Sequence, residues 1–347
     1  MRKPRASIDS FISVDCRRKV QSLLDEALAE VAEKQADRQV RRLLHAALFP
    51  GRRLRPILFM SLAGSCPKDK NFRSLEDVAV AIELCHRGSI IMDDMIDEDR
   101  IRRGVPTFHS QFGTKITSLV VTILIAEATR LVRHVDNVVH CDLSSHFAIT
   151  FHQMSVGELS DIGVADPDTR FLRLYVDRVL LKTASLFQFL FWAASKLSGY
   201  PDETVEQCSM AGLQIGRAYQ IHNDLFDETE WPYRARGATS SKVLTLSLPI
   251  AIALDNVGEP QKSLILSSIG KRVHSKKRLI IQRIIQENHI KRLAKRHAAA
   301  HLRNTIRSVR DAKDLPAKGE LINFCHWIKR KECWDQTEFE NAGYTSV

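Results

Sequence analysis

Apolar residues recur along this chain at intervals of three and four, the spacing that lines one face of a helix. Val20, Leu23, Leu24, Ala27, Leu28, Val31 and Ala32 form the first such stripe and predict helix across Val20–Leu48. Further stripes predict helices over Val78–Met95, Leu119–Val132, Leu143–Leu159, Phe171–Leu197, Val205–Leu225 and Leu246–Leu254. The spacing continues through Gln261–Lys295, Leu302–Val309 and Gly319–Trp327, now mixed with many basic residues. Convincing alternating strands and Asn-Gly or Asp-Gly hairpin turns are missing from the sequence. Turn signals fall between the stripes, at Pro50-Gly51, Cys66-Pro67, Gly104–Pro106, Asp166-Pro167, Tyr200-Pro201, Trp231–Gly237 and Glu259-Pro260. No Gly/Ser-rich linker divides the pattern. The reading is all-α and a single domain over 1–347, with a flexible basic start over 1–15 and a flexible tail over 335–347.

Composition narrows the class without deciding it. A chain of 347 residues with 44% hydrophobic content buries a large core and reads as soluble and globular. The net charge of +10 admits nucleic acid, anionic membrane or phosphorylated small molecules as partners, and by itself selects none. Most of that excess is read as solvated surface. Seven cysteines, odd in number and without a C-x-x-C pair, predict reduced thiols and a cytoplasmic setting. The basic start Met1–Arg5 is followed by no apolar signal core. The apolar stretches around Ser118–Ala128 and Leu186–Ala194 are too short to span a bilayer.

Candidate chemistry sits at two helix ends. Asp93, Asp94 and Asp97 close an apolar helical run, and Arg102-Arg103-Gly104 follows them. Asp93 and Asp97 share a helix face, so their carboxylates repel unless a hard cation or a cationic ligand lies between them. Nearby arginines would hold a diphosphate that bridges to the metal. A similar cluster, Asn223-Asp224-Leu225-Phe226-Asp227, follows a second apolar stripe. Two such helices facing each other would form opposite walls of one metal site.

These features, taken with their flanks, resemble the trans-isoprenyl (polyprenyl) diphosphate synthase family. The resembling segments are Gly51-Arg52-Arg53-Leu54-Arg55-Pro56, then Glu83-Leu84-Cys85-His86, Asp93–Asp97 and Arg102–His109. Lys182-Thr183-Ala184 and Gly216–Asp227 continue the ordered set. The resemblance implies an isoprenoid synthase fold, a helical bundle around a central apolar cavity. It also implies Mg²⁺-assisted condensation of an allylic diphosphate with isopentenyl diphosphate, and a homodimer. By the same resemblance Asp93, Asp97, Asn223, Asp224 and Asp227 form the metal set, with Asp94 in support. Arg102, Lys182 and Lys242 would hold the allylic diphosphate, and Arg52, Arg53, His86 and Arg103 the isopentenyl diphosphate. Thr183 and Gln220 would line the reacting centre. No nucleic-acid partner is expected.

The sequence departs from the family pattern in several places. Asn223 stands where the family carries an aspartate, and Val121-Thr122 where it usually carries Gly-Asp. The loop after Asp227 is degraded. Small Gly88 and Ser89 before Asp93 favour products longer than C15 while Val121 opposes them, so geranylgeranyl diphosphate is the expected product. A class I terpene cyclase and a non-catalytic subunit of a heteromeric synthase are the alternatives, with a prenyltransferase acting on a peptide or other acceptor behind them. Retained Arg52, Arg53 and Arg103 argue against the cyclase.

Overall fold

Asp37 breaks what the apolar spacing predicts as one helix. Its side chain accepts hydrogen bonds from the backbone N–H groups of Gln39 (2.6 Å) and Val40 (3.1 Å). That cap separates α1 (Val14–Glu33) from α2 (Arg38–Leu48). The structure, a computed structural model, describes residues 14–49, 51–64, 72–102, 104–162, 169–229 and 242–330. The chain continues through α3 (Leu54–Leu62), α4 (Phe72–Ile96), α5 (Phe108–Phe112), α6 (Thr114–Val139) and α7 (Leu143–Ile162). The predicted helix over Phe171–Leu197 is α8 (Phe171–Val179) and α9 (Ser185–Leu197), joined without a break by a π turn over Leu180–Ala184. Next come α10 (Asp202–Thr229), α11 (Leu248–Asn256) and α12 (Gln261–Leu266).

The predicted helix over Gln261–Lys295 is not continuous. After α12 the chain forms a short strand, then α13 (Ser275–Glu287) and α14 (Ile290–Asp311), with His289 in the left-handed region (φ 55°) between the two helices. The expected helix over Leu302–Val309 is the second half of α14, and α15 (Lys318–Arg330) follows. Strands are confined, among the described residues, to two short antiparallel pairs. β1 (Ile101–Arg102) pairs with β2 (Val105–Pro106), and β3 (Lys242–Val243) with β4 (Arg272–Val273). The expected turns at Cys66-Pro67, Asp166-Pro167 and Trp231–Gly237, the tail over 335–347 and residues 1–13 lie outside the described residues.

The architecture is the all-α bundle that the stripes predict. α4 lies along α6, and α10 along α9. Their apolar faces meet in one core that also takes in α1–α3, α7 and α15. A second apolar cluster joins α8, α11, α12, α13 and the first half of α14. α10 crosses between the two: Ala218 and Tyr219 belong to the first cluster, Ile221 and Leu225 to the second. Gln220 lies at that crossing. Among the described residues no helix is long and apolar enough to cross a membrane, and Cys85, Cys141, Cys208 and Cys325 are free thiols.

Candidate active site

α4 carries the first acidic cluster at its C-terminal end. The Asp97 N–H donates to the Asp93 carbonyl at 2.9 Å, so the helical spacing that aligns the two side chains persists past Ile96. The β1–β2 hairpin then folds back over the cluster. Gly104 turns it at φ 82°, a conformation side chains rarely adopt, which accounts for a glycine after the arginines. The guanidinium of Arg102, on the first strand of the hairpin, donates to Asp93 at 3.1 Å and pairs with Asp94.

Lys182 approaches from the opposite side. It lies in the π turn, a local widening often found where a helix must aim a functional side chain. Its ammonium is 2.8 Å from Asp93 Oδ1 and 2.7 Å from Glu158 Oε2 of α7. Gly157 makes this approach possible, because a Cβ there would stand 2.6 Å from the Lys182 backbone nitrogen. On the other flank a Cβ on Gly216 would stand 2.8 Å from the Ala184 Cα. Both neighbouring helices therefore close on the π turn through glycine.

The electrostatics follow from this crowding. Burial alone would raise the Asp93 pKa, but Lys182 and Arg102 outweigh it and hold the carboxyl below its ordinary value. Asp94 is raised, chiefly by burial, against the pull of Arg102. Asp97 is pushed up to about 7 by burial first and then by the charge of Asp93, with Lys182 opposing. Near neutral pH this protein thus keeps one carboxylate ionised beside two cations and a second one half-protonated.

The facing wall is a relay of hydrogen bonds. Thr183 Oγ1 donates to Gln220 Oε1 (3.1 Å), and Gln220 Nε2 donates to Asp224 Oδ1 (2.6 Å). The Tyr175 hydroxyl donates to Asp224 Oδ2 at 2.7 Å. Both oxygens of Asp224 therefore accept bonds from neutral groups, and Asn223 is half-buried next to it. The Asp227 side chain lies outside the described residues, although its backbone belongs to α10. Arg103 and the Lys242 side chain lie outside them too. The backbone of Lys242 pairs with Val273 in the β3–β4 ladder, whose two strands are connected through α11 and α12. Arg272 of β4 donates to Glu98 Oε2 at 3.1 Å, which ties the strand pair that includes Lys242 to the segment just after α4.

One predicted ligand points elsewhere. Arg53 is 1% exposed and inward-facing. It donates to Asp25 (2.8 Å), to the Leu48 carbonyl (2.8 Å) and to Glu83 (3.0 Å). It occupies the left-handed region (φ 51°) at the start of α3, and Gly51 leaves room for its guanidinium. Arg53 thus fastens the α2–α3 loop to α1 and α4. The residue that meets His86 is Arg55, a position the motif reading passed over. Its Nη1 is 2.7 Å from His86 Nε2, and its guanidinium lies 5.0 Å from the Phe187 ring centre and 5.8 Å from that of Tyr219. Burial lowers the Arg55 pKa from its ordinary value, so this is a desolvated cation. His86 sits seven residues, two helical turns, before Asp93 on the same face of α4, while Arg52 is half-buried beside the start of α3. Glu158 and Tyr175 also escaped the sequence reading. The sole signal for Glu158 is the glycine before it in an otherwise ordinary helix.

Among the described residues no three carboxylate, histidine or cysteine side chains form a ready metal cage. Asp93 and Asp97 do suit a small hard divalent cation that keeps waters and takes its remaining ligands from substrate phosphates. Burial first, and then the neighbouring Asp93 charge, raise the Asp97 pKa, and a divalent cation held by both carboxylates would oppose both effects.

Comparison with known proteins bears on the family and the fold. The sequence model of a family described as polyprenyl synthetase matches residues 37–287. The chain is 29% identical over 209 residues to a nonaprenyl diphosphate synthase of Mycobacterium tuberculosis, a match covering 60% of each chain. It is 31% identical over 223 residues to a geranylgeranyl pyrophosphate synthase of Geoglobus acetivorans, covering 63% of this chain and 67% of the relative. The match therefore spans less than two thirds of the first relative's length. Among solved structures, a polyprenyl synthase from Caulobacter crescentus CB15, complexed with calcium and isoprenyl diphosphate, superposes with a TM-score of 0.78 at 18% identity. That superposition covers 96% of this chain and 100% of the other.

Proposed function

This chain belongs to the polyprenyl synthetase family, and we propose that it is a Mg²⁺-dependent prenyltransferase that condenses an allylic diphosphate with isopentenyl diphosphate. The observation that carries the reading is the ionic lattice in which Asp93 meets Lys182 and Arg102 while Asp97 stands beside it. Two cations beside two carboxylates are a side-chain set suited to a diphosphate and a hard divalent ion together.

Each residue then has a defined task. Arg102 and Lys182 hold the allylic diphosphate, joined by Lys242 from the strand tethered through Arg272 and Glu98. Asp93 and Asp97, with Asn223, Asp224 and Asp227 on the α10 side, are the residues to hold Mg²⁺. When bound, the ion offsets negative charge building on the departing diphosphate. Asp224 orients this wall through Tyr175 and Gln220. Arg52, Arg55, His86 and Arg103 hold the isopentenyl diphosphate, with Arg55 in the place first assigned to Arg53. The allylic C–O bond breaks beside Thr183 and Gln220, and the isopentenyl double bond supplies the electrons of the new C–C bond. The proton then lost passes to the freed diphosphate, so no dedicated base is needed.

A product near geranylgeranyl diphosphate fits the α4–α6 seam. A Cβ on Gly88 would lie 3.3 Å from Ile125 Cδ1 and 3.8 Å from Val121 Cγ1, so α6 fills the space that a small residue would otherwise open. Exposed Leu119 on α6 and Ile149, Val156 and Leu159 on α7 support a homodimer through that face. The free thiols support a cytoplasmic location. The test is incubation with Mg²⁺ and dimethylallyl, geranyl or farnesyl diphosphate, with and without isopentenyl diphosphate, followed by product sizing. Extension that requires isopentenyl diphosphate supports the proposal. Hydrocarbon formed without it would identify a cyclase, and no turnover by folded protein would identify a non-catalytic subunit.

A further inference from the structure

The chain's positive charge is concentrated in one C-terminal segment. Residues 271–310 hold 13 Lys and Arg against a single acid, Glu287, a net of +12, whereas the whole chain carries +10. Everything outside this segment is therefore slightly acidic in sum. The segment comprises β4, α13 and α14, and much of its charge lines one groove. Lys291, Arg292, Lys295, Arg296 and Arg303 of α14 enclose about 580 Å³ together with His289 and Gln286. Among the described residues no carboxylate lies within 4.0 Å of Arg292, Lys295, Arg296 or Arg303, whereas many other arginines of the fold are paired. Holding these four cations together costs electrostatic free energy that no carboxylate among the described residues offsets at close range.

α13 adds an apolar component to the same face. Its inner side buries Ile281, Ile284 and Ile285 in the second core cluster. Its outer side presents Lys276, Leu279, Ile280, Arg283 and Gln286, spaced three and four apart in one stripe. Leu279 is 53% exposed and Ile280 50% exposed, each flanked by a cation on the stripe. Gln286 ends this stripe and also lines the groove, so the two aliphatic side chains and the α14 cations belong to one continuous surface.

We propose that this α13–α14 surface docks the protein on an anionic lipid bilayer. Leu279 and Ile280 enter the headgroup boundary, and the α14 groove receives lipid phosphates. Basic residues beside exposed aliphatics are what an interfacial membrane contact requires. Residues 271–310 contain no Phe, Trp or Tyr, so the stacking platform that single-stranded nucleic acid uses is absent. Two copies meeting through such a surface would repel. No helix among the described residues can cross the membrane, so the attachment is peripheral.

The test is co-sedimentation of the full chain with phosphatidylcholine vesicles, with and without about one third phosphatidylserine, at about 0.1 M salt. Binding should be at least roughly tenfold stronger to the anionic vesicles and should be lost in about 1 M salt. The R292E/R296E variant should lose roughly tenfold or more of that binding, and L279S/I280S a measurable share, with circular dichroism and solution turnover unchanged. Inositol hexakisphosphate and an RNA oligonucleotide serve as soluble competitors. Equal binding to neutral vesicles, no binding to anionic ones, or R292E/R296E binding unchanged would overturn the proposal. So would RNA or the inositol phosphate binding more tightly than the vesicles at the same salt, which would give the groove to a soluble polyanion.

Discussion

The Lys182 ammonium lies 2.8 Å from the Asp93 carboxylate, although the two residues come from different helices and are separated by 88 intervening positions. The contact depends on the π turn that aims Lys182 and on Gly157, which lets that turn press against α7. It draws the π turn, α4 and α7 together through one ion-pair cluster of Asp93, Lys182, Glu158 and Arg102. The cations neutralise Asp93, and Asp97 keeps its proton part of the time.

The Asp97 carboxyl provides a pH prediction. An acid whose pKa is raised on folding favours the fold while protonated. Its contribution is intact below the ordinary carboxylate range and lost as pH rises through about 7. Metal-free Asp97→Asn protein should therefore gain thermal stability relative to the wild type as pH goes from about 6 to about 8. Mg²⁺ with a diphosphate ligand should stabilise the wild type more at the higher pH, because the metal requires the ionised carboxylate. Thermal melts with and without Mg²⁺ measure both effects. Stabilisation by Mg²⁺ that is indifferent to pH would remove Asp97 from the metal set.

Arg53 and Arg55 should behave oppositely although they are neighbours in one motif. Arg53→Ala strands the buried carboxylate of Glu83 and should cost about 3–5 kcal/mol of stability, read from denaturant melts. Arg55→Ala should raise KM for isopentenyl diphosphate roughly tenfold or more, the loss of a charge-assisted contact, with a smaller change in KM for the allylic substrate. A KM effect confined to Arg53→Ala would restore the motif-based assignment.

At the α4–α6 seam, Ile125→Ala should open space beside Gly88 and shift the product distribution toward longer chains. The half-buried isoleucine sets the stability cost at about 2 kcal/mol. Chain-length analysis of the prenyl products measures it, and an unchanged distribution would locate the length stop elsewhere.

Much of the bundle is legible in the sequence because apolar residues at three- and four-residue spacing announce each long helix. Boundaries are less so. Asp37 acts as a cap through its side-chain bonds to two backbone amides, which periodicity does not register. The π turn is silent as well, since Leu180–Ala184 keeps the composition of its helix. At the site, motif order brings Asp93, Asp97, Arg102, Lys182 and Gln220 into view. Arg53 misleads because its left-handed backbone turns the side chain inward, a conformation uncommon for arginine and without a sequence signature. Glu158 and Tyr175 act through partners distant in the chain, so nothing local marks them.

The ionisation step tests the central claim most directly. Asp93→Ala leaves Lys182 paired with Glu158 and Arg102 with Asp94, so the fold should survive with little change in melting temperature. Release of diphosphate from farnesyl diphosphate in the presence of Mg²⁺ and isopentenyl diphosphate, compared between this variant and the wild type, is the measurement. The account predicts a fall of roughly 10³ or more in the variant. Near-normal release from folded Asp93→Ala protein would contradict it.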